Sequence, residues 1–349
     1  MKLKKKKFKA AVLFKLRTKL KIVDLEIPKF LDYGQILVKV AYSGICGSQI
    51  GEIEGIKGKD KYLPHCLGHE GSGIVYAVGP GVTKVKKGDR VVMHWKPSEG
   101  IDAKPIKYKM NGKTINSGKI TTFNEYAVLS ENRITKIRDI KINLRDAALL
   151  GCTLTTAIGF LNNDIKLKSG ESILIWGAGP IGLALTKFSK YLLANPISVV
   201  DLSDKKLKEA KSMGADRCFK FKSKKSFKDI YKKNKDSDVV IDTTGNVNVI
   251  EKSYEMINNI GRLGLVGVPH YKKKISINPL AINLGKKFIG CHGGTDNPQI
   301  DIPNYIQLIL KKKIRVNDLI EKVIKLKDIN KYISKIKNNQ TSKKILIKF

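Results

Sequence analysis

No apolar run reaches the roughly eighteen residues that a membrane-crossing helix needs, so the 349-residue chain is not expected to span or sit in a membrane. The opening "MKLKKKKFKAAVLFKL" is basic. Its apolar stretch "AAVLF" is closed by Lys15, which leaves it too short for a secretory signal, and a cytoplasmic location is expected. Cysteine is scarce. Cys46, Cys66, Cys152, Cys218 and Cys291 are odd in number and widely scattered, which excludes a disulfide framework and leaves room for metal or catalytic thiols. Acidic residues are few: 31 Asp and Glu stand against 67 Lys and Arg, a formal net charge of +36. Such a charge can signal nucleic-acid binding. Here the lysines recur from "KLKKKKFK" to "SKKILIKF", with no stripe of interleaved aromatics and no nucleic-acid motif. They read as solvated faces that stick to polyanions at low salt, not as a specific nucleic-acid surface. No internal repeat and no low-complexity linker is present.

What is there suggests two domains. Apolar residues make up 42% of the chain, enough for real cores. Residues 10–150 read as β-rich: "QILVKVAYSGIC", "SGIVYAVG" and "DRVVMHW" are short apolar or alternating runs broken by Gly, Pro and Asp. The rhythm changes near residue 170. The strand "ESILIW" is followed by "GAGPIG" and the helical "PIGLALTKFSKYLLA"; then come the strand "ISVVD" and the helix "SDKKLKEAKSMGA", with Ser203 or Asp204 as N-cap. "DVVIDTTG", "NVNVIEKSYEMI" and "GRLGLVGVP" continue the alternation, which predicts a doubly wound parallel sheet. The tail, from about residue 298, carries two helical stretches and the strand-like "KKILIKF", and is too short to stand alone.

Two stretches carry chemistry. Gly177, Gly179 and Gly182 form G-x-G-x-x-G between a strand and a helix, the context in which the pattern means a pyrophosphate site at a helix N-terminus. Asp201 ends the next strand, nineteen residues after Gly182. A carboxylate there accepts from ribose hydroxyls and repels a 2′-phosphate, which favours NAD over NADP. Lys205 and Lys206 soften that discrimination, so NADP stays open. The second stretch is "YLPHCLGHEGSG", residues 62–73, which holds His65, Cys66, His69 and Glu70 within six positions. Together with Cys46 in "SGICGSQ" and Cys152 in "LLGCTLTTAIG", these are the candidate ligands of a zinc ion that would polarise a substrate oxygen.

The segments "GICGSQ", "GHEGSG", "VGPGVTKVKKGDRV", "GCTLTTAIG", "GAGPIG" and "GLVGVP", in this order and at these spacings, make the chain resemble the medium-chain, zinc-dependent alcohol and polyol dehydrogenases. The resemblance covers nearly the whole chain. It implies an α/β protein with a GroES-like β-rich catalytic domain at 1–153, a Rossmann NAD-binding domain at 154–291 and a C-terminal return at 292–349. It implies one catalytic zinc on Cys46, His69 and Cys152, with Glu70 beside it as supporting group or alternate ligand. Ser48 matches the first proton-relay group. Thr156, and Val268 through its backbone, match nicotinamide contacts; Pro180 and Ile181 lie in the Gly-rich turn, with Ile181 behind the ring; Lys206 matches a ribose contact. The implied activity is hydride transfer between NAD and a secondary alcohol, polyol or sugar-derived hydroxyl, by a dimer or tetramer. A sugar-phosphate or nucleotide-sugar reductase is the alternative. A polyanion-binding protein that reuses the fold without catalysis is the rival from another class.

The chain also departs from that family. No cysteine lies between Cys66 and Cys152, so the four-cysteine structural zinc of many members is not expected, and the polar segment 96–123 stands in its place. Gly51 replaces the histidine that usually follows the relay serine, leaving water, ribose hydroxyls or Glu52 to end the relay. Gly47 replaces a basic residue, as in the polyol branch. His94 and Trp95 stand where members place pocket side chains.

Overall fold

The computed structural model describes residues 6–313 and 315–349, with Lys224 as backbone only. The chain divides into two units, Met1–Thr153 with Asn297–Phe349, and Leu154–Asp296. Residues 292–296 therefore group with the second unit, and the return begins at Asn297. Asn163 Nδ2 holds that stretch by donating to Thr295 O at 3.0 Å.

The first unit is built on the strand Gln35–Ile45, an aliphatic run buried along most of its length. Its first half pairs with Tyr126–Ser130 and its second half with Lys344–Lys348. Glu70–Val78, Arg90–His94 and Ile134–Lys136 extend the sheet on one side, and Ile320–Lys325 closes the other, giving seven strands. The tail thus contributes two strands to the sheet. It also contributes core: Ile324, Ile329, Ile333, Ile345 and Ile347 are buried with Ala11, Leu13, Ile45, Leu67 and Phe123. Burial of this apolar surface helps to hold the tail through the hydrophobic effect, beside the hydrogen bonds of its two strands.

A second sheet has the order Lys21–Glu26, Lys7–Leu13, His65–Cys66, Lys113–Asn116, Lys107–Met110. The segment 96–123, whose shape the sequence left open, supplies the last two strands as a hairpin. Asn111 and Gly112 turn it at φ 48° and 80°. Two successive left-handed residues of this type suit a tight hairpin turn. Glu131, almost fully buried, holds the start of the segment by accepting from the N–H groups of Thr83, Lys84 and Ile101 at 2.8–3.0 Å.

His94 is not an open pocket residue. It is 1% exposed, Nδ1 donates to Lys96 O at 2.7 Å, and Nε2 lies 3.1 Å from Thr135 Oγ1. Burial pushes its pKa down to about 4. An unfolded histidine titrates near 6.5, so folding favours the neutral ring. This contribution to stability is complete above about pH 6.5 and is lost as the pH falls toward 4. Between pH 7.5 and 5 the loss from His94 is about 2 kcal/mol. Denaturant unfolding of wild type and His94→Gln at both pH values should show the wild type losing about that much more. An equal loss in the two proteins would remove His94 as the cause.

The second unit holds six parallel strands in the order Arg217–Lys220, Ile197–Asp201, Ile173–Trp176, Ser237–Asp242, Ile257–Leu265, Lys287–Gly290. In chain order this is 3-2-1-4-5-6, the doubly wound arrangement whose ligand crevice opens at the carboxyl ends of strands 1 and 4. Pro180 stands at the first turn of the helix Pro180–Tyr191, where its missing N–H costs nothing. Ser203 caps Asp204–Ser212 by accepting from Lys206 N. The strands Arg217–Lys220 and Lys287–Gly290 and the helix Lys224–Asn234 were not evident from the sequence. The helix packs through Phe227, Ile230 and Tyr231, an apolar stripe hidden among lysines. No single helix among the described residues is long and apolar enough to cross a membrane.

Candidate metal centre and nucleotide turn

Three local structures in the first unit bring the ligand candidates together. Cys46 is the N-cap of the helix Gly47–Glu54. His69 follows a turn at Gly68 and precedes the strand Glu70–Val78. Cys152 ends the short helical turn Ala148–Gly151. The ligand atoms of Cys46, His69 and Cys152 all lie within 4.8 Å of one another, and among the described residues they are the only such group of three. His69 Nε2 is buried without a hydrogen-bond partner. Two sulfurs and one imidazole nitrogen, on a histidine with a buried ring nitrogen that lacks a partner, fit a zinc site with three protein ligands and one open position.

The electrostatics favour thiolate there. The hydrogen bond from the Cys152 thiol, aided by Lys344 and His69, holds Cys46 well below the ordinary thiol range despite its burial. Cys152, as the donor of that bond and as a buried group, is raised. Burial would lower the His69 pKa, but the Cys46 and Glu70 charges outweigh it. Cys66 behaves in the opposite way: burial alone pushes its thiol up to about 12, so it stays a protonated, packed side chain. His65 also stands apart, with Nε2 on Asp60 Oδ2 and Nδ1 on Cys66 O, both at 2.8 Å.

Glu70 is not in the ligand group. It is fully buried, forms an ion pair with Lys344, and accepts from Thr153 N at 3.1 Å and Thr153 Oγ1 at 3.0 Å. A carboxylate held by three donors is fixed beside the metal position, which argues for the supporting role over the alternate-ligand role. Lys344, 2% exposed, was missed in the sequence. Burial would lower its pKa, but Glu70 first, then Cys46 and Cys152, hold it well above the usual range. With a zinc ion bound, the Cys46 and Cys152 thiolates and Glu70 would carry three negative charges, and the ion and Lys344 three positive ones. Gly44 makes room for the ion pair, since a Cβ there would fall 2.4 Å from Glu70 Oε1 and 2.8 Å from Lys344 Cε. Ser48 Oγ lies 3.5 Å from Cys46 Sγ, so its hydroxyl stands beside the ligand sulfur. Glu52 is engaged by Gln49 and Lys57 at 2.7 and 3.0 Å.

In the second unit, Gly177 and Gly182 are required by the protein itself. A Cβ on Gly177 would meet Thr243 Oγ1 at 2.4 Å, and one on Gly182 would meet Gly177 O at 1.9 Å. Gly179 is different: nothing lies within 4 Å of its Cβ position, which leaves the backbone open to a phosphate at the helix start. Asp201 accepts from Ala178 N at 2.8 Å and Ser203 N at 2.9 Å, so this carboxylate is tied to the Gly-rich turn. Pro180 and Ile181 open the helix, with Ile181 half-buried. Thr156 and Lys206 are buried on their helices, and Val268 is 54% exposed after the strand Ile257–Leu265.

A two-sheet β-rich unit with a Cys-His-Cys cluster, followed by a 3-2-1-4-5-6 parallel sheet with a Gly-rich turn, defines a metal-dependent dehydrogenase. The family models agree: that of the alcohol dehydrogenase GroES-like domain matches residues 32–139, and that of the zinc-binding dehydrogenases matches residues 180–311. The chain belongs to the medium-chain zinc-dependent alcohol dehydrogenase family. It is 28% identical, over 366 aligned positions, to the S-(hydroxymethyl)glutathione dehydrogenase of Synechocystis sp., covering 93% of this chain and 95% of that one. It is 29% identical to the enzyme of the same name in Escherichia coli O1:K1, with the same coverage. The benzyl alcohol dehydrogenase of Acinetobacter calcoaceticus superposes with a TM-score of 0.86 at 24% identity, over 99% of both chains, a likeness of fold.

Proposed function

We propose that this chain is an NAD-linked dehydrogenase of secondary alcohols, polyols or sugar hydroxyls, with one zinc on Cys46, His69 and Cys152. The observation that carries the reading is the convergence of those three ligand atoms within 4.8 Å. When bound, zinc supplies a Lewis acid for the alcohol or carbonyl oxygen, and the nicotinamide supplies the hydride acceptor or donor. The residues of the chain do the rest. Cys46 and Cys152 bring the negative charge that retains a dication. Glu70 and Lys344 hold that charge in place, and Thr153 orients Glu70. Ser48 stands ready to take the alcohol proton. Gly179, Ile181 and Gly182 offer backbone N–H groups to the pyrophosphate, Gly177 makes the turn and Pro180 opens the helix, the Ile181 side chain backs the ring, and Thr156 and Val268 flank it. Asp201 and Lys206 serve the adenosine ribose. Gly47 has open space around its Cβ position and offers no cation, which supports the polyol branch. The reading includes a cytoplasmic homo-oligomer, a dimer or tetramer, with no specific nucleic-acid partner.

Steady-state assays with NAD and NADP on sorbitol-type polyols, 2,3-butanediol, ethanol and S-(hydroxymethyl)glutathione test it. Polyols or secondary alcohols with NAD should be favoured. Asp201→Ala should lose about 10- to 100-fold in kcat/KM for NAD, the loss of charge-assisted bonds worth roughly 1.5–3 kcal/mol, and should narrow its gap to NADP. A preference for ethanol or S-(hydroxymethyl)glutathione would overturn the substrate class. An unchanged cofactor ratio in Asp201→Ala would overturn the role of Asp201.

A further inference from the structure

One buried side chain connects two of the three ligand positions. Gln49 is 4% exposed and lies on the helix that Cys46 caps; its backbone N–H donates to Cys46 O at 3.1 Å. Its side-chain Oε1 accepts from Gly68 N–H, in the turn immediately before His69, and its Nε2 donates to Glu52 Oε2 at 2.7 Å. Those partners fix which way the amide points: a backbone N–H can only donate and a carboxylate only accept, so oxygen faces Gly68 and nitrogen faces Glu52. Lys57 Nζ, 3.0 Å from Glu52 Oε1, completes the chain on the solvent side.

We infer that Gln49 is a positioning residue that sets the separation of Cys46 and His69 for the metal. The inference rests on the zinc reading given above. The Gly68 turn cannot adjust by itself. It has φ +94°, and a Cβ there would lie 2.5 Å from Thr122 Oγ1 and 2.7 Å from Phe123 N. On one side Leu67 O accepts from Thr122 N and Phe123 N at 3.1 and 3.0 Å. On the other side the Gln49 amide holds Gly68. An apolar side chain at 49 would leave the Gly68 N–H buried and unpaired, and a carboxylate would face Glu52. The Gln49 oxygen ties the Cys46 helix to the His69 turn, and its nitrogen, held by Glu52 on the same helix, keeps the amide in that orientation.

The test compares wild type, Gln49→Met and the exchange Gln49→Glu/Glu52→Gln, which keeps an acceptor for Gly68 and reverses donor and acceptor in the second bond. Three quantities are read: zinc affinity by chelator competition, the sulfur-to-cobalt charge-transfer band after cobalt(II) loading, and the thermal midpoint of the metal-free protein. Gln49→Met should weaken zinc binding by about 10- to 100-fold, the scale on which loss of a supporting partner acts, and should shift the cobalt band. The exchange should restore most of both. If Gln49→Met does not fold, Gln49→Glu alone is read in its place, with the same expectation. A variant that lowers only the thermal midpoint, with zinc affinity and cobalt band unchanged, would overturn the role of Gln49. Failure of the wild type itself to bind zinc would instead overturn the metal reading, and this inference with it.

Discussion

Cys46→Ala should lose its zinc and at least about a thousandfold in alcohol oxidation, because a Lewis acid at the reacting oxygen contributes several kcal/mol to the barrier. Cys46 is only the N-cap of its helix and makes no side-chain cap bond, so its loss leaves the local fold intact. What alanine removes is the sulfur that Cys152, Lys344 and His69 hold toward thiolate. Cys66→Ala is the control. That thiol is 2% exposed, and burial pushes its pKa up to about 12, so it offers no thiolate to a metal. It should keep its zinc and its activity. Metal content, initial rates and far-ultraviolet circular dichroism, measured together, separate a missing ligand from a damaged fold. A Cys46→Ala protein that retains zinc and rate would contradict the ligand assignment.

Lys344→Met should destabilise the protein by about 3–5 kcal/mol, the usual cost of leaving one partner of a buried ion pair uncompensated. Glu70 is fully buried and Lys344 is 2% exposed, so water cannot replace the lost ammonium. The thiolates of Cys46 and Cys152 would also lose their nearby cation. Adding Glu70→Gln to the same chain should recover much of the stability, since an uncharged pair carries little desolvation penalty. Zinc binding should remain weaker in the double variant, because the fixed charge pattern around the sulfurs is gone. Denaturant unfolding of the two single variants and the double variant gives the coupling directly. Additive losses would mean that Lys344 and Glu70 do not act as a pair.

The nucleotide turn was legible because its chemistry is tied to short-range spacing. Gly177, Gly179 and Gly182 sit between a strand and a helix, and Asp201 ends the following strand, so the nucleotide turn could be read locally. Cys46, His69 and Cys152 lie far apart, and the resemblance of whole segments, not their spacing, pointed to them. Lys344 was illegible for a physical reason. It is one of many lysines, nearly all of them on solvated faces, and only the pairing of Lys344–Lys348 with Tyr42–Ile45 carries it to Glu70. Nothing in the sequence singled out Gln49, because its partner in the His69 turn, Gly68, reaches it only once the chain has folded. Glu70 was recognised but its role was left open, since the choice between ligand and support depends on Lys344 and Thr153. The hairpin at 107–116 and the helix Lys224–Asn234 were hidden by lysines that mask the apolar period.

The most direct test of the central claim is the zinc content per chain of protein purified without chelator and passed through metal-free buffer. The site has ligands for one ion, and the account predicts one zinc per chain, lost in Cys46→Ala and retained in Cys66→Ala. Wild-type protein without zinc, unable to take up zinc or cobalt(II) on addition, would contradict the proposed metal centre.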